Sequence, residues 1–240
     1  MPSETTSIRV NFSRPFALFP LEGVVLLPHA LLRLFIFEPR YRQMVEHALD
    51  SSGQIAMAVF KGESWKHDYH GNPPIRGAVC VGHIAQHEKL ADGNYRIWLH
   101  GVCRARVKHE SPPEGERLYR EAMLEPIGTE EAPESELQMV RADLVELLRT
   151  PPLRDVAPVA QVLEQIEEQE EVPTSALLEV VALSVMPMLD DPKLQYRLLE
   201  EGNVFSRASI LTQELSRIGS ILRRADRQFD PEAPKGVSWN

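Results

Sequence analysis

The residues of this 240-residue chain that could do chemistry are few and badly placed for it. His67 and His70 flank an aspartate in Trp65-Lys66-His67-Asp68-Tyr69-His70, and His83 and His87 stand four apart. A metal site needs more ligands at defined geometry. A four-residue spacing shares a face only in a helix, whereas His83 and His87 fall in a strand-like run. These histidines read as solvated loop and strand residues, and no metal or other cofactor is expected. Cys80 and Cys103 lie far apart in apolar runs with no Cys-x-x-Cys partner. There a free thiol packs as a small hydrophobe. No Gly-x-x-x-x-Gly-Lys-Ser/Thr occurs to cradle a nucleotide, and Gly-x-Gly-x-x-Gly and Gly-x-Ser-x-Gly are absent too. No nucleophile has a recognisable base and orienting group. No catalytic residue is assigned, and neither ATP hydrolysis nor proteolysis is expected.

Two groups of residues suit binding instead. Lys61–Arg76 is a long loop carrying Trp65 and Tyr69. Long structureless loops in compact domains are often functional, and exposed aromatics there would capture a peptide. The competing reading folds Trp65 back as a cap on the strands beneath. The second group is Arg96, Trp98, Arg104, Arg106 and Lys108, on one face of an alternating strand. Arginine and tryptophan together combine charge with stacking, which would suit an acidic peptide or RNA. The plainer reading, a solvated outer face of an antiparallel hairpin, is favoured. The acidic run Glu164–Glu171 reads as the wet side of a helix.

Charge narrows the partners. The net charge is −9, and it is uneven. Residues 1–127 hold 15 Lys/Arg and 14 Asp/Glu, while residues 128–240 hold 11 and 21. A nucleic-acid binder normally carries a basic excess, so the acidic half argues against nucleic acid. The N-terminus shows no basic stretch followed by an apolar one, and the most apolar helical stretch, Ala176–Met188, is too short to span a bilayer. A cytoplasmic protein without a membrane partner is expected.

The elements that position these residues come in two textures. From Phe16 to about Ile127 the chain reads as strands, and from Glu134 to about Arg227 as helices. Phe16–Leu21 and Leu32–Phe37 are apolar runs expected as buried strands. Pro39 opens a helix whose apolar face is Tyr41, Met44, Val45, Ala48 and Leu49, and Gly53 stops it. Gln54–Lys61 is a further strand. Ala78–Leu90 and Tyr95–Glu110 form a hairpin around Asp92-Gly93. Alternation puts Tyr95, Ile97, Leu99, Gly101, Cys103, Ala105 and Val107 inside, and Arg96 through Lys108 outside. A last strand lies near Tyr119–Leu124. Helices follow at Leu137–Leu148, Val156–Glu170, Ala176–Met186 (apolar nearly all round, hence central) and from Asp191-Pro192 to Gly202. A long last helix has a seam of Leu211, Leu215, Ile218, Leu222 and Ala225.

Phe16-Ala-Leu-Phe-Pro-Leu-Glu-Gly-Val-Val-Leu-Leu-Pro-His and Leu-Phe-Ile-Phe-Glu-Pro-Arg-Tyr-Arg-Gln-Met-Val45 strongly resemble the opening of the Lon protease N-terminal domain. Ile75-Arg-Gly-Ala-Val-Cys-Val-Gly-His-Ile, Leu99-His-Gly-Val-Cys-Arg-Ala-Arg106 and the region of Leu198-Leu199 and Arg207–Leu211 resemble later parts of it. The resemblance covers about Phe16 to Leu222 and is nearest to stand-alone bacterial members that lack the ATPase and Ser-Lys protease modules. It implies an α+β fold, a PUA-like β pseudo-barrel with one short helix followed by an α-helical bundle. It also implies recognition of unfolded or tagged polypeptides. It offers no catalytic residue here. Its recurrent Glu38, Arg40, Tyr41 and Arg42, where a strand enters a helix, are expected to act structurally.

The expected organisation is a flexible N-terminus 1–15, a barrel lobe 16–127, a linker 128–136, a helical lobe 137–228 and a flexible tail 229–240. The expected function is non-catalytic polypeptide binding, adaptor-like, with a protease or chaperone as possible partner. The candidate binding residues are Trp65, Tyr69, Arg96, Trp98 and Arg104. An RNA-associated PUA-like protein and a small-molecule sensor stand as alternatives.

Overall fold

The computed structural model describes residues 8–69, 71–129, 132–168, 172–185 and 192–229. His70, Glu170 and Glu171, Met186–Asp191 and the tail from 230 lie outside the described residues. In chain order the elements are β1 (Phe16–Leu21), β2 (Leu31–Ile36), α1 (Pro39–Leu49), β3 (Gln54–Val59), β4 (Ala78–Lys89), β5 (Tyr95–Ser111) and β6 (Glu121–Pro126). They are followed by α2 (Glu134–Arg149), α3 (Ala157–Glu168), α4 (Thr174–Val185), α5 (Pro192–Glu200) and α6 (Val204–Phe229). A sheet-rich N-terminal region thus precedes a helical C-terminal one. The chain forms two compact units: residues 1–131 with 186–203, and residues 132–185 with 204–240.

In the first unit the strands hydrogen-bond in the order β2-β5-β4-β3-β1-β6, and β5 pairs again with β6. The ladder therefore returns on itself through β5. That strand is long enough to take β2 along Tyr95–His100 and β6 along Ala105–Ser111, both on the edge opposite β4. Inside sit Phe16, Leu18, Ala56, Ala58, Val79, Val81, Ala105, Ala122 and Leu124. Alanine and valine make up much of this core. Val10 and Phe12 pack against the same cluster. Residues 8–15, expected as part of a flexible lead, are therefore anchored by apolar burial. Helix α1 forms as its spacing predicts, burying Tyr41, Met44, Val45 and Ala48. Gly53 ends the turn after it at φ +69°, a conformation that costs a residue with a Cβ.

Helix α5 corrects the expected helical lobe 137–228. Its contacts place it with the strands of the first unit. The Tyr196 hydroxyl accepts a hydrogen bond from the Ala78 amide at 2.8 Å, and the Arg76 guanidinium lies 4.3 Å from the Tyr196 ring. Arg104 Nε donates to the Leu198 carbonyl at 3.1 Å. After the helix, the Gly202 carbonyl comes so close to Gly128 that a Cβ there would stand 2.6 Å from it. Only glycine permits that approach.

The second unit packs α2, α3, α4 and α6. Helix α4 buries Leu177, Leu178, Val181, Ala182 and Val185, which its all-round apolar character predicts. Leu211, Leu215 and Ile218 of the predicted seam are buried as well. An ion pair sits in this core: Glu179 of α4 lies 3.3 Å from Arg207 of α6, both side chains under 10% exposed. Among the described residues no helix is long and apolar enough to cross a membrane.

Candidate functional site

The first unit carries all the residues singled out for binding. The Lys61–Arg76 loop is built around a short 3-10 turn, Ser64–Lys66. Its aromatics are only half-exposed because they bind each other and the loop's base. The Trp65 ring stacks on Phe60 at 5.7 Å and 11°, and Tyr69 meets both rings edge-on at 6.2 Å. The Tyr69 hydroxyl donates to Glu38 Oε1 at 2.6 Å. Arg40 pairs with Glu38 at 3.0 Å, donates to the Tyr69 carbonyl at 3.2 Å, and lies 4.6 and 4.8 Å from the Tyr41 and Tyr69 rings. Glu38, Arg40 and Tyr41 thus form a clamp that fastens the loop to the start of α1. Burial raises the pKa of the Tyr69 phenol, and the Glu38 hydrogen bond adds to it. Burial also drives the Tyr41 phenol upward. Arg42 is half-buried on α1.

The structure breaks up the basic stripe on β5. Val81 pairs with Cys103 but Gly82 pairs with Gly101, so the ladder slips at Val102 and simple alternation fails beyond it. Arg104, expected on the solvated face, is 6% exposed beneath α5. Burying its guanidinium requires a partner, which the Leu198 carbonyl provides. Arg96 is exposed but lies 3.2 Å from Glu88, its cross-strand neighbour. Lys108 lies 2.9 Å from Glu125, and Arg106 4.0 Å from the same carboxylate. Trp98 is half-buried. Three exposed cations thus face two carboxylates, and the stripe does not present a bare basic surface.

A third surface escaped the sequence reading. Leu32–Phe37 was expected to be a buried strand. Instead β2 pairs only with β5 among the described residues and lies at the end of the strand order. Leu31, Phe35 and Phe37 are 57%, 53% and 60% exposed. The Phe35 and Phe37 rings stack at 6.0 Å and 26°. Apolar side chains on both faces suggest burial by composition alone, but among the described residues no further layer covers Leu31 and Phe35. The one available signal was Arg33, a cation of the kind edge strands carry to discourage unwanted pairing.

The remaining reactive groups are quiet. Cys80 is buried, and burial pushes the Cys103 thiol up to about 11. His83 faces His100 across β4 and β5, and burial, with His29 and His83 nearby, lowers the His100 pKa. Among the described residues, no group of three His, Cys, Asp or Glu side chains has the arrangement to hold a metal.

Comparison with known proteins agrees with this architecture. The family model described as the ATP-dependent protease La (LON) substrate-binding domain matches residues 16–217. Lon proteases of Brucella abortus (strain 9-941) and Brucella suis biovar 1 are each 26% identical over 112 residues, 46% of this chain but only 14% of theirs. The N-terminal domain of Mycobacterium avium complex Lon protease superposes with a TM-score of 0.64 at 16% identity, covering 85% of this chain and 98% of that one. A Lon N-terminal domain protein from Xanthomonas campestris does so with a TM-score of 0.54 at 20% identity and the same coverage.

Proposed function

This chain belongs to the LON substrate-binding domain family, and from that premise we propose that it is a polypeptide-binding module that captures unfolded or extended segments without acting on their bonds. The observation that carries the reading is the β2 surface. Leu31 and Phe35 of β2, and Phe37 just after it, expose apolar side chains beside a strand edge that is unpaired among the described residues. An extended chain offers both things such a surface can use: apolar side chains to bury and backbone groups to pair with an edge. The family relationship supports polypeptide as the occupant, and the carboxylates facing the β5 cations favour it over nucleic acid. An adaptor-like role beside a separate protease or chaperone is part of the proposal.

The aromatic pair of the 61–76 loop is the competing location within the same function. Trp65 and Tyr69 are engaged with Phe60, Glu38 and Arg40, which favours β2. The test is binding of a reduced, carboxymethylated model protein to the wild-type chain and to a Phe35→Ser/Phe37→Ser variant. Removing an aromatic anchor from an interface typically costs at least about 2 kcal/mol, roughly thirtyfold in affinity. The variant should lose about that much and melt at the wild-type temperature. Equal affinities would remove β2 from the site. Loss of self-association in place of client binding would identify a second copy of the chain as the occupant.

A further inference from the structure

Between residues 9–17, the C-terminal end of α1 and the residues around Tyr119 lies a cavity of about 640 Å³. Arg9 and Arg14 line it; both are exposed, and neither forms an ion pair among the described residues. Glu121, the sole carboxylate on the wall among the described residues, lies 3.5 Å from Arg117 and is compensated by it. The carbonyls at the end of α1 would repel an anion, but Ser51 Oγ donates to those of His47 and Ala48 at 2.8 and 3.1 Å. The cavity therefore carries uncompensated positive charge.

The wall is built as well as charged. Gln54 is buried, and its Nε2 holds the Arg9 carbonyl at 2.8 Å, which fixes the backbone from which the Arg9 side chain projects. The Tyr119 hydroxyl and His47 Nδ1 lie 2.9 Å apart, a pair that can donate or accept according to the histidine tautomer. Phe16, Pro15 and Ala48 supply apolar wall. A guanidinium presents a planar fork of donors that matches a carboxylate.

We propose that this cavity binds a small organic carboxylate, with Arg9 and Arg14 taking the anionic group and the wall of Phe16, Pro15 and Ala48 taking the organic body. The carboxylate can come from a free acid or from the C-terminus of a polypeptide. The site is separate from β2 and does not rest on the reading of that surface.

The experiment titrates the full chain with sodium benzoate, inorganic phosphate, and acetyl-Ala-Ala-Phe with either a free or an amidated C-terminus, followed by NMR of the His47 and Tyr119 side chains. Saturable shifts with benzoate, the free-acid peptide or both are expected, with none from the amide. Benzoate alone identifies a free acid as the source, and the peptide alone identifies a chain terminus. An Arg9→Gln/Arg14→Gln variant should bind about tenfold more weakly or worse, because both charged partners of the carboxylate are removed. Both side chains are exposed, so its melting temperature should not move. No saturable binding would overturn the proposal, as would binding unchanged in the double arginine variant. So would phosphate binding as tightly as benzoate, because charge attraction alone would then explain it.

Discussion

The Lys61–Arg76 loop and strand β2 both gather aromatic side chains in the first unit, and they treat them differently. In the loop, Trp65 and Tyr69 close on Phe60, and the Tyr69 hydroxyl is held by Glu38. At β2, Phe35 and Phe37 (the residue just after the strand) stack on each other, among the described residues on no other ring, and stay more than half exposed. A loop has the freedom to fold its apolar groups back onto whatever lies near. A strand locked in a ladder does not: its register with β5 dictates where each side chain points. Aromatics in a long loop are therefore no guarantee of a binding surface, and an apolar strand is no guarantee of burial.

That contrast predicts stability effects on the loop side and binding effects on the β2 side. The largest effect should come from Tyr41→Ala, which removes a buried ring that packs on Phe19 at 4.6 Å and underlies Arg40. Large-to-small aromatic changes in a core cost about 3–5 kcal/mol. Urea unfolding should show that loss, and proteolytic nicking of the 61–76 loop should accelerate. An unchanged urea midpoint would mean the clamp does not hold the loop. Next, Trp65→Ala should lower stability by about 1–2 kcal/mol through lost stacking and burial, while unfolded-protein affinity stays within about twofold of wild type. A large drop in affinity with no change in stability would reverse the comparison and restore the loop as the site.

Tyr69→Phe keeps the ring and deletes the hydroxyl that donates to Glu38. A loss of about 1 kcal/mol is expected, with unchanged polypeptide binding; stability equal to wild type would show that Glu38 is as well satisfied by Arg40 alone. The smallest effect is on pH dependence. The folded Tyr69 phenol is held above its ordinary value, first by burial and then by Glu38. Its contribution to stability is intact below the unfolded pKa of about 10 and is lost as pH rises through the higher folded value. The denaturant midpoint should fall in that alkaline window, and less steeply in Tyr69→Phe. Identical slopes would show that this phenol does not feel the fold.

Much of the architecture is legible in the sequence because it depends on local periodicity. The α1 face Tyr41, Met44, Val45 and Ala48, the hairpin turning at Asp92-Gly93 and the buried character of α4 all follow from spacing and turn chemistry. Glu38 and Arg40, expected from the family resemblance to act structurally, lie 3.0 Å apart as an ion pair. The candidate site is less legible. Arg104 reads as an outer-face residue by alternation, and only the slip at Val102 together with α5 buries it. Arg9 and Arg14 stand in a stretch with no periodic signal, yet the fold brings them to one cavity with His47 and Tyr119.

By itself, then, the sequence determined which segments become strands and helices, where they turn, and that the chain resembles the LON substrate-binding domain, because these follow from neighbours within a few residues and from contiguous motifs. Only the tertiary structure decided that α5 joins the strands, that the outer edge of β2 is unpaired among the described residues, and that the loop's aromatics turn inward. Each of these depends on whether another part of the chain, tens of residues or more away, supplies a covering layer or a hydrogen-bond partner, and no local pattern of residue types encodes that.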